Sequence, residues 1–309
     1  MVELAQGVVR VRAPNPSPMT LTGTNTYLVR TARDEALVID PGPALSEHVD
    51  AIVATARELR VEIRNILVTH GHPDHAPAAQ PLSQRTGALV LAHPNARFPV
   101  DVRLSDGEDL VYDDARIGVV DAPGHAPDHF VFVLDGERAL FTGDVVLGMG
   151  TVVVAPPGGA MRPYQRTLER LLREHGDSRA IYGGHGEAVA DPAAKLSEYI
   201  AHRKMRESEL LACLERGPAT IPDLVRAIYA DVDRKLWPAA ARQMLAYLLA
   251  LEEEDRVIPH VLERPATAEE AGILDPNLER IADPAAAEVA RAELGAAVHL
   301  PLVSYRLSA

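Results

Sequence analysis

The stretch Val68–Ala79, VTHGHPDHAPAA, gathers His70, His72, Asp74 and His75 directly behind an apolar run, IRNILV. Imidazole and carboxylate together suit borderline divalent cations, zinc above all, with iron and manganese as alternatives. His70 and His72 are two residues apart, so in extended backbone both side chains point the same way. Pro73 follows, where the chain can turn into a helix, and that turn sends Asp74 and His75 to a neighbouring point. One short motif can thus feed two cations. His125 in DAPGHAPDH, Asp144 in LFTGD and His185 in YGGHGE supply the further ligands that two cations need. Gly124, Gly143, Gly184 and Gly186 flank them, as expected where backbone must bend sharply close to an ion. The expected set is His70, His72 and His125 on the first metal and Asp74, His75 and His185 on the second, with Asp144 bridging. Coordination would offset the burial of so many polar groups.

Such a set needs rigid mounts. Short apolar runs rich in β-branched residues read as buried strands at 26–30, 36–40, 65–70, 88–93, 117–123, 130–135, 139–144 and 179–185. Four of these, NILVTH, GVVDAPGH, ALFTGD and AIYGGH, end at or just short of a His or Asp, so their ends would bring the ligands to one edge of the fold. Helical patterns lie between strands: SEHVDAIVATARELR, with Ser46 as N-cap, and PYQRTLERLLREHG, with a Leu168, Leu171, Leu172 stripe. Clustered strands interrupted by helices predict a mixed α/β domain with helix-covered sheets.

The texture changes near residue 191. A long helix is expected from Asp191-Pro192 to about 216, then helices over 219–231 and 238–255 and a strand over 256–262. Together these predict a winged-helix-like module, with 302–308 as the second strand of the wing and 263–296 as an acidic, helical insertion. The expected division is a catalytic domain over 1–200 and the module over 201–309. The third helix ends in Glu252, Glu253, Glu254 and Asp255, which would repel phosphate, so duplex DNA is not an expected partner. A cleft wall or a homodimer contact is the expected role of the module.

The chain has 309 residues, a net charge of −13 and a single cysteine, Cys213, which excludes an internal disulfide or a multi-Cys zinc site. Both the first 200 residues and the remainder carry more acidic than basic side chains, against a broad basic face for nucleic acid or anionic lipid. The N-terminus lacks the pattern of a signal peptide and no apolar run is long enough to span a bilayer, so a cytoplasmic protein with no membrane partner is expected.

The motifs THGHPDH, PGH, TGD and GGHGE, with ALVIDPGP supplying an early strand end at Asp40, resemble the metallo-β-lactamase-fold hydrolases over roughly residues 20–190. That resemblance implies a four-layer αβ/βα sandwich with the dinuclear site at its rim. NPSPMTLTGTNTYLV, GDVVLGMGT, PYQRTLERL and the following module are similar to the β-lactamase-like protein 2 subgroup, whose animal members are mitochondrial single-strand endoribonucleases and whose relatives include fungal polyketide-associated thioesterases. The secreted β-lactamases lack an aspartate at the Asp144 position and carry signal peptides, so true β-lactamase activity is not expected here.

The expected chemistry is hydrolysis by a metal-bridging hydroxide on an ester, thioester or lactone, with Asp74 orienting it and accepting its proton. The alternative is a metal-dependent single-strand endoribonuclease, for which Arg97, Arg103, Arg162 and Arg166 are the nearby cations that could track RNA. A binding protein without chemistry is opposed by the complete ligand set. Asn25, Tyr27 and, more weakly, Tyr164 are candidate substrate-binding residues, with Thr24 and Met149 beside them. His129 is expected to support the ligands, His93 to be structural, and His48, His175, His202, His260 and His299 to be surface or capping residues.

Overall fold

The computed structural model describes residues 1–264, 266–274 and 302–308. Strands β1 (Val2–Ala5), β2 (Val8–Arg12), β3 (Asn25–Arg30) and β4 (Glu35–Ile39) pair antiparallel in sequence. Helix α1 (Ser46–Glu58) returns the chain so that β5 (Glu62–Leu67) lies parallel to β4. Helix α2 (Ala79–Thr86) does the same for β6 (Leu89–Ala92), and β7 (Val102–Arg103) completes a seven-stranded sheet. The second sheet takes β8 (Asp109–Val111), β9 (Arg116–Asp121), β10 (Phe130–Leu134) and β11 (Ala139–Gly143) antiparallel. Helix α3 (Met161–His175) then crosses over to β12 (Ala180–Gly183), parallel to β11, so this sheet has five strands.

Strand alternation divides the core into layers. On β4, Leu37 and Ile39 face the second sheet while Ala36 and Val38 face the helices α1 and α2. On β10, Phe130, Phe132 and Leu134 face the first sheet, whereas Val131 and Val133 pack with Leu168 and Leu171 of α3. The result is the four-layer αβ/βα sandwich, closed between the sheets by an aromatic group in which the Tyr27 and Phe141 rings meet at 5.2 Å and 63°. Strands β4, β5, β9, β11 and β12 all point their C-terminal ends to the same rim.

The C-terminal part begins with α4 (Pro192–Leu214), capped by Asp191, whose Oδ1 accepts from the Ala194 N–H at 2.9 Å. Strand β13 (Ala219–Thr220) leads into α5 (Ile221–Ile228), started by a Thr220/Asp223 capping box, and α6 (Trp237–Glu253) leads to β14 (Val257–Val261). Helix α7 (Ala268–Leu274) follows, and β15 (Val303–Leu307) pairs antiparallel with β14 from Val257↔Leu307 to Val261↔Val303. The segment 302–308 is therefore a wing strand. Of the expected 263–296 insertion, only 263–264 and 266–274 fall among the described residues; its remainder and His299 lie outside them. The division expected at residue 200 falls inside α4, and one apolar cluster runs from β9–β12 and α3 through α4 into α5 and α6. Among the described residues no helix is long and apolar enough to cross a membrane.

His48 departs from the expectation of a surface or capping residue. It is buried beneath Gly42, where a Cβ would lie 2.8 Å from its Nε2. Thr26 Oγ1 donates to the Asp40 carbonyl at 2.6 Å, so it accepts from His48 Nε2–H at 2.8 Å. Burial pushes the His48 pKa down to about 4. On acidification the unfolded chain takes this proton first. The His48 contribution to stability is thus complete above about pH 6.5 and lost as pH falls towards 4, by roughly 3 kcal/mol. Denaturant midpoints followed from pH 7 to 4.5 should fall less steeply for His48→Gln than for the wild-type chain; parallel slopes would contradict this.

Candidate metal centre

The rim where the strands end carries every residue of the expected ligand set. His70 follows β5, Asp144 follows β11, His185 follows β12, and His125 lies in the β9–β10 connection. His72 Nδ1 stands 2.9 Å from His70 Nε2 and 3.0 Å from His125 Nε2. Beside this group, Asp74 Oδ2 lies 3.1 Å from His185 Nε2 and 3.4 Å from His75 Nε2. Asp144 faces both groups: its Oδ1 is 3.5 Å from His75 Nε2, and its Oδ2 is 3.4 Å from His185 Nε2 and 3.8 Å from His125 Nε2. Three sets, His70/His72/His125, Asp74/His75/His185 and His70/His75/Asp144, each have donor atoms within 4.8 Å of one another and could hold a metal ion.

Outer partners fix which nitrogen carries the proton in four of these imidazoles. Asp40 Oδ2 accepts from Thr69 Oγ1 at 2.8 Å and from His75 Nδ1 at 2.7 Å. Thr69 Oγ1, having donated its proton, accepts from His70 Nδ1 at 3.0 Å. His125 Nδ1 donates to the Val153 carbonyl at 3.1 Å, and His185 Nδ1 faces the Gly23 carbonyl at 3.5 Å. All four therefore direct an Nε2 lone pair inward, where carboxylate oxygens also converge. Lone pairs and anions packed this closely repel unless protons or cations lie between them.

The titration behaviour follows. Burial pushes the His185 pKa down, yet the Asp144 and Asp74 carboxylates lift it to about 10. His75 is raised in the same way, with burial opposed by Asp74, Asp144 and Asp40. Burial opposes ionisation of Asp74 and Asp144 as well, but the neighbouring His75 and His185 hold both below the usual carboxylate range. His70 is held neutral by burial and by the surrounding imidazoles. Among the described residues, Asp74 Oδ1, Asp144 Oδ1 and His75 Nε2 are buried without a hydrogen-bond partner. These unpartnered inward atoms fit divalent cations, whose uptake would displace protons from the cluster.

Backbone closeness has visible causes. A Cβ on Gly184 would lie 2.5 Å from both Asp144 Oδ1 and His75 Cε1, and one on Gly143 (φ +46°) 2.5 Å from Thr69 Oγ1. His129 Nε2 accepts the Asp144 N–H at 3.2 Å, and its ring stacks on His70 at 4.5 Å. Thr24 Oγ1 donates to Asp74 Oδ2 at 3.0 Å and is itself held by Asn15 Nδ2 at 3.0 Å. The supporting parts played by Thr69, Thr24 and Asn15 went unread in the sequence, and Asp40 figured only as a strand end. Their signal is faint, since each is a common polar residue in a turn.

The three substrate-binding candidates are corrected by their surroundings. Asn25 Nδ2 donates to the Gly183 and Gly186 carbonyls at 3.1 and 2.9 Å, and the Tyr27 hydroxyl to the Gly183 carbonyl at 2.7 Å. Tyr164 donates to the Val145 carbonyl at 2.7 Å. All three are buried and brace the segments behind His185 and Asp144, rather than opening onto a cleft. Met149 is 61% exposed. Arg162, a candidate for an RNA track, is paired with Glu207 and Glu254.

Comparison with known proteins bears on the fold and the family. Residues 19–185 match the family model described as the Metallo-beta-lactamase superfamily, and residues 220–261 match the Beta-lactamase associated winged helix domain. An atrochrysone carboxyl ACP thioesterase of Aspergillus chevalieri is 32% identical over 265 residues, covering 83% of this chain and 84% of its own. A beta-lactamase-like protein 2 homolog of Caenorhabditis elegans is 32% identical over 237 residues, covering 74% and 78%. The crystal structure of a metallo-beta-lactamase family protein from Thermus thermophilus superposes with a TM-score of 0.70 at 26% identity, over 84% of this chain and 97% of that one.

Proposed function

The chain belongs to the metallo-β-lactamase superfamily and is a metal-dependent hydrolase, and we propose that it holds two divalent ions and cleaves an acyl thioester, ester or lactone. The observation that carries the two-ion reading is Asp144, which presents one oxygen to His75 and the other to His125 and His185. His70, His72 and His125 would hold one ion, Asp74, His75 and His185 the other, and Asp144 both. Zinc suits this donor set, with iron or manganese as alternatives. Bound there, the cations would supply Lewis acidity, making hydroxide available from water near neutral pH and offsetting charge on the substrate oxygen.

The chain's own groups have separable tasks. Asp74 accepts from Thr24 through Oδ2, which fixes the carboxylate plane and leaves Oδ1 unpartnered among the described residues. Oδ1 is the atom that would orient the attacking water and receive its proton. Asp40, Thr69 and the Val153 carbonyl hold His75, His70 and His125 in the tautomers that offer Nε2 inward. Thioesters are favoured among acyl substrates because a thiolate departs without protonation, and the titratable groups of the cluster are taken up as ligands. The thioesterase name of the Aspergillus relative supports the same class. The acidic balance of the chain, −13, supports it over a polyanion.

The test is to reconstitute the chain with zinc, iron or manganese and assay acyl thioesters, esters, lactones and a single-stranded RNA oligomer in parallel. Acyl turnover abolished by a chelator, with the RNA intact, is the expected result. Chelator-sensitive RNA cleavage without acyl turnover would overturn the substrate class.

A further inference from the structure

We propose that Gln243, in the C-terminal module, is a positioning residue for His125, acting through the single peptide unit between Val153 and Val154. Gln243 Oε1 accepts the Val154 N–H at 3.0 Å, while the Val153 carbonyl accepts from His125 Nδ1 at 3.1 Å. The carbonyl and the N–H belong to one planar unit, so a group that fixes one fixes the other. Chained hydrogen bonds also polarise one another, strengthening the acceptor that His125 sees. The inference rests on the reading of His125 as a metal ligand.

Among the described residues the Gln243 amide is used through its oxygen alone. It is buried in α6, and its Nε2 has no hydrogen-bond partner among the described residues. A methionine would fill similar volume without burying an unpaired amide donor, but would take this acceptor from the Val154 N–H. What the amide adds is one bond, to the strip of chain that runs from Asp144 past His125.

That strip is held by the same module at further points. Arg203 of α4, 2% exposed, donates to the Val152 carbonyl at 2.6 Å, and its guanidinium lies 5.1 Å from the Tyr164 ring centroid. Tyr199 of α4 accepts the Leu147 N–H at 3.1 Å and donates to the Gly150 carbonyl at 3.0 Å. The Gly148 N–H in turn donates to the His185 carbonyl at 3.0 Å. The module therefore reaches the surroundings of two ligands, and the Gln243 link is the most direct. On this inference the winged-helix-like unit of this chain serves as scaffolding for the metal centre.

The experiment is a titration of the metal-free full chain with zinc against a chromophoric chelator, reading each binding event separately. Gln243→Met should weaken one event by about tenfold, the lower end of what outer-shell partners of metal ligands contribute, and leave the other unchanged. Gln243→Glu, which keeps an oxygen facing the Val154 N–H, should restore most of that affinity. Leu224→Ala, a cavity in α5 of the same module, should leave both events as in the wild type. If Gln243→Met does not fold, Gln243→Asn, too short to reach Val154, gives the same reading. Unchanged affinity in the Met or Asn variant would overturn the inference, as would an equal loss in Leu224→Ala. A wild-type chain that binds a single ion would contradict the two-ion reading instead, and the ratio of variant to wild-type affinity would still decide the role of Gln243.

Discussion

Asp74→Ala is expected to lower kcat on the best acyl substrate by about a thousandfold with metal at saturation, in the range of 10²–10⁴ that a positioned base contributes. On the proposed reading the carboxylate has two tasks, ligand and base, and a second substitution separates them. Oδ2 already accepts from Thr24 at 3.0 Å and faces His185 at 3.1 Å, so it belongs to the ligand wall. Oδ1 is buried without a partner among the described residues and, on the proposed reading, is the atom left to take a proton. Asp74→Asn keeps an oxygen for the wall and loses the capacity to accept the proton. It should therefore bind metal more tightly than Asp74→Ala yet remain nearly as slow. Metal content and single-turnover rates measured on the same samples distinguish the tasks. Wild-type kcat in a fully loaded Asp74→Asn protein would reduce Asp74 to a ligand alone.

The core and the convergence of the candidate ligands on one rim were legible in the sequence for one reason: apolar strands buried on both faces announce themselves without context. The run FVFVL reads as a strand because all five side chains of β10 are buried, split between two hydrophobic layers. Imidazole and carboxylate at the ends of such runs then stand out against the apolar background. Strand β2, VVRVR, was missed because charge masks its position. Arg10 is buried, with one nitrogen 3.3 Å from the Gly186 carbonyl and the other 2.8 Å from Glu187. Helix α2, AQPLSQRT, has weak propensity and forms because Leu82 and Ala79 pack beneath it. Tyr27, Asn25 and Tyr164 misled for a related reason. A polar group near a site in sequence reads as substrate-facing, and only the fold reveals that backbone carbonyls already hold it. Asp40 was legible as a strand end but not as the group that sets the state of His75.

That task makes Asp40→Asn the more revealing substitution at this centre. Asp40 sits at φ +51°, a conformation that Asp and Asn tolerate better than most side chains, so the backbone should accept the change. The hydrogen bonds should not. Asp40 Oδ1 accepts the Thr69 N–H at 2.7 Å, while Oδ2 accepts Thr69 Oγ1 at 2.8 Å and His75 Nδ1 at 2.7 Å. An asparagine must place its amide nitrogen at one of those positions. Facing His75, it would force the ring to present a lone pair at Nδ1 and a proton at Nε2, pointing N–H into the cluster where a donor atom is needed. Facing Thr69, it would oppose the backbone N–H with another donor, a buried mismatch worth about 1–3 kcal/mol. In the first arrangement, affinity for the ion proposed to bind Asp74, His75 and His185 should fall about 10–100-fold. Activity at limiting metal should fall with it and recover in part as metal is raised. In the second arrangement, stability falls while metal affinity holds. A zinc titration paired with a denaturation curve tells the two apart, and a variant unchanged in both would show that Asp40 does not govern the tautomer of His75.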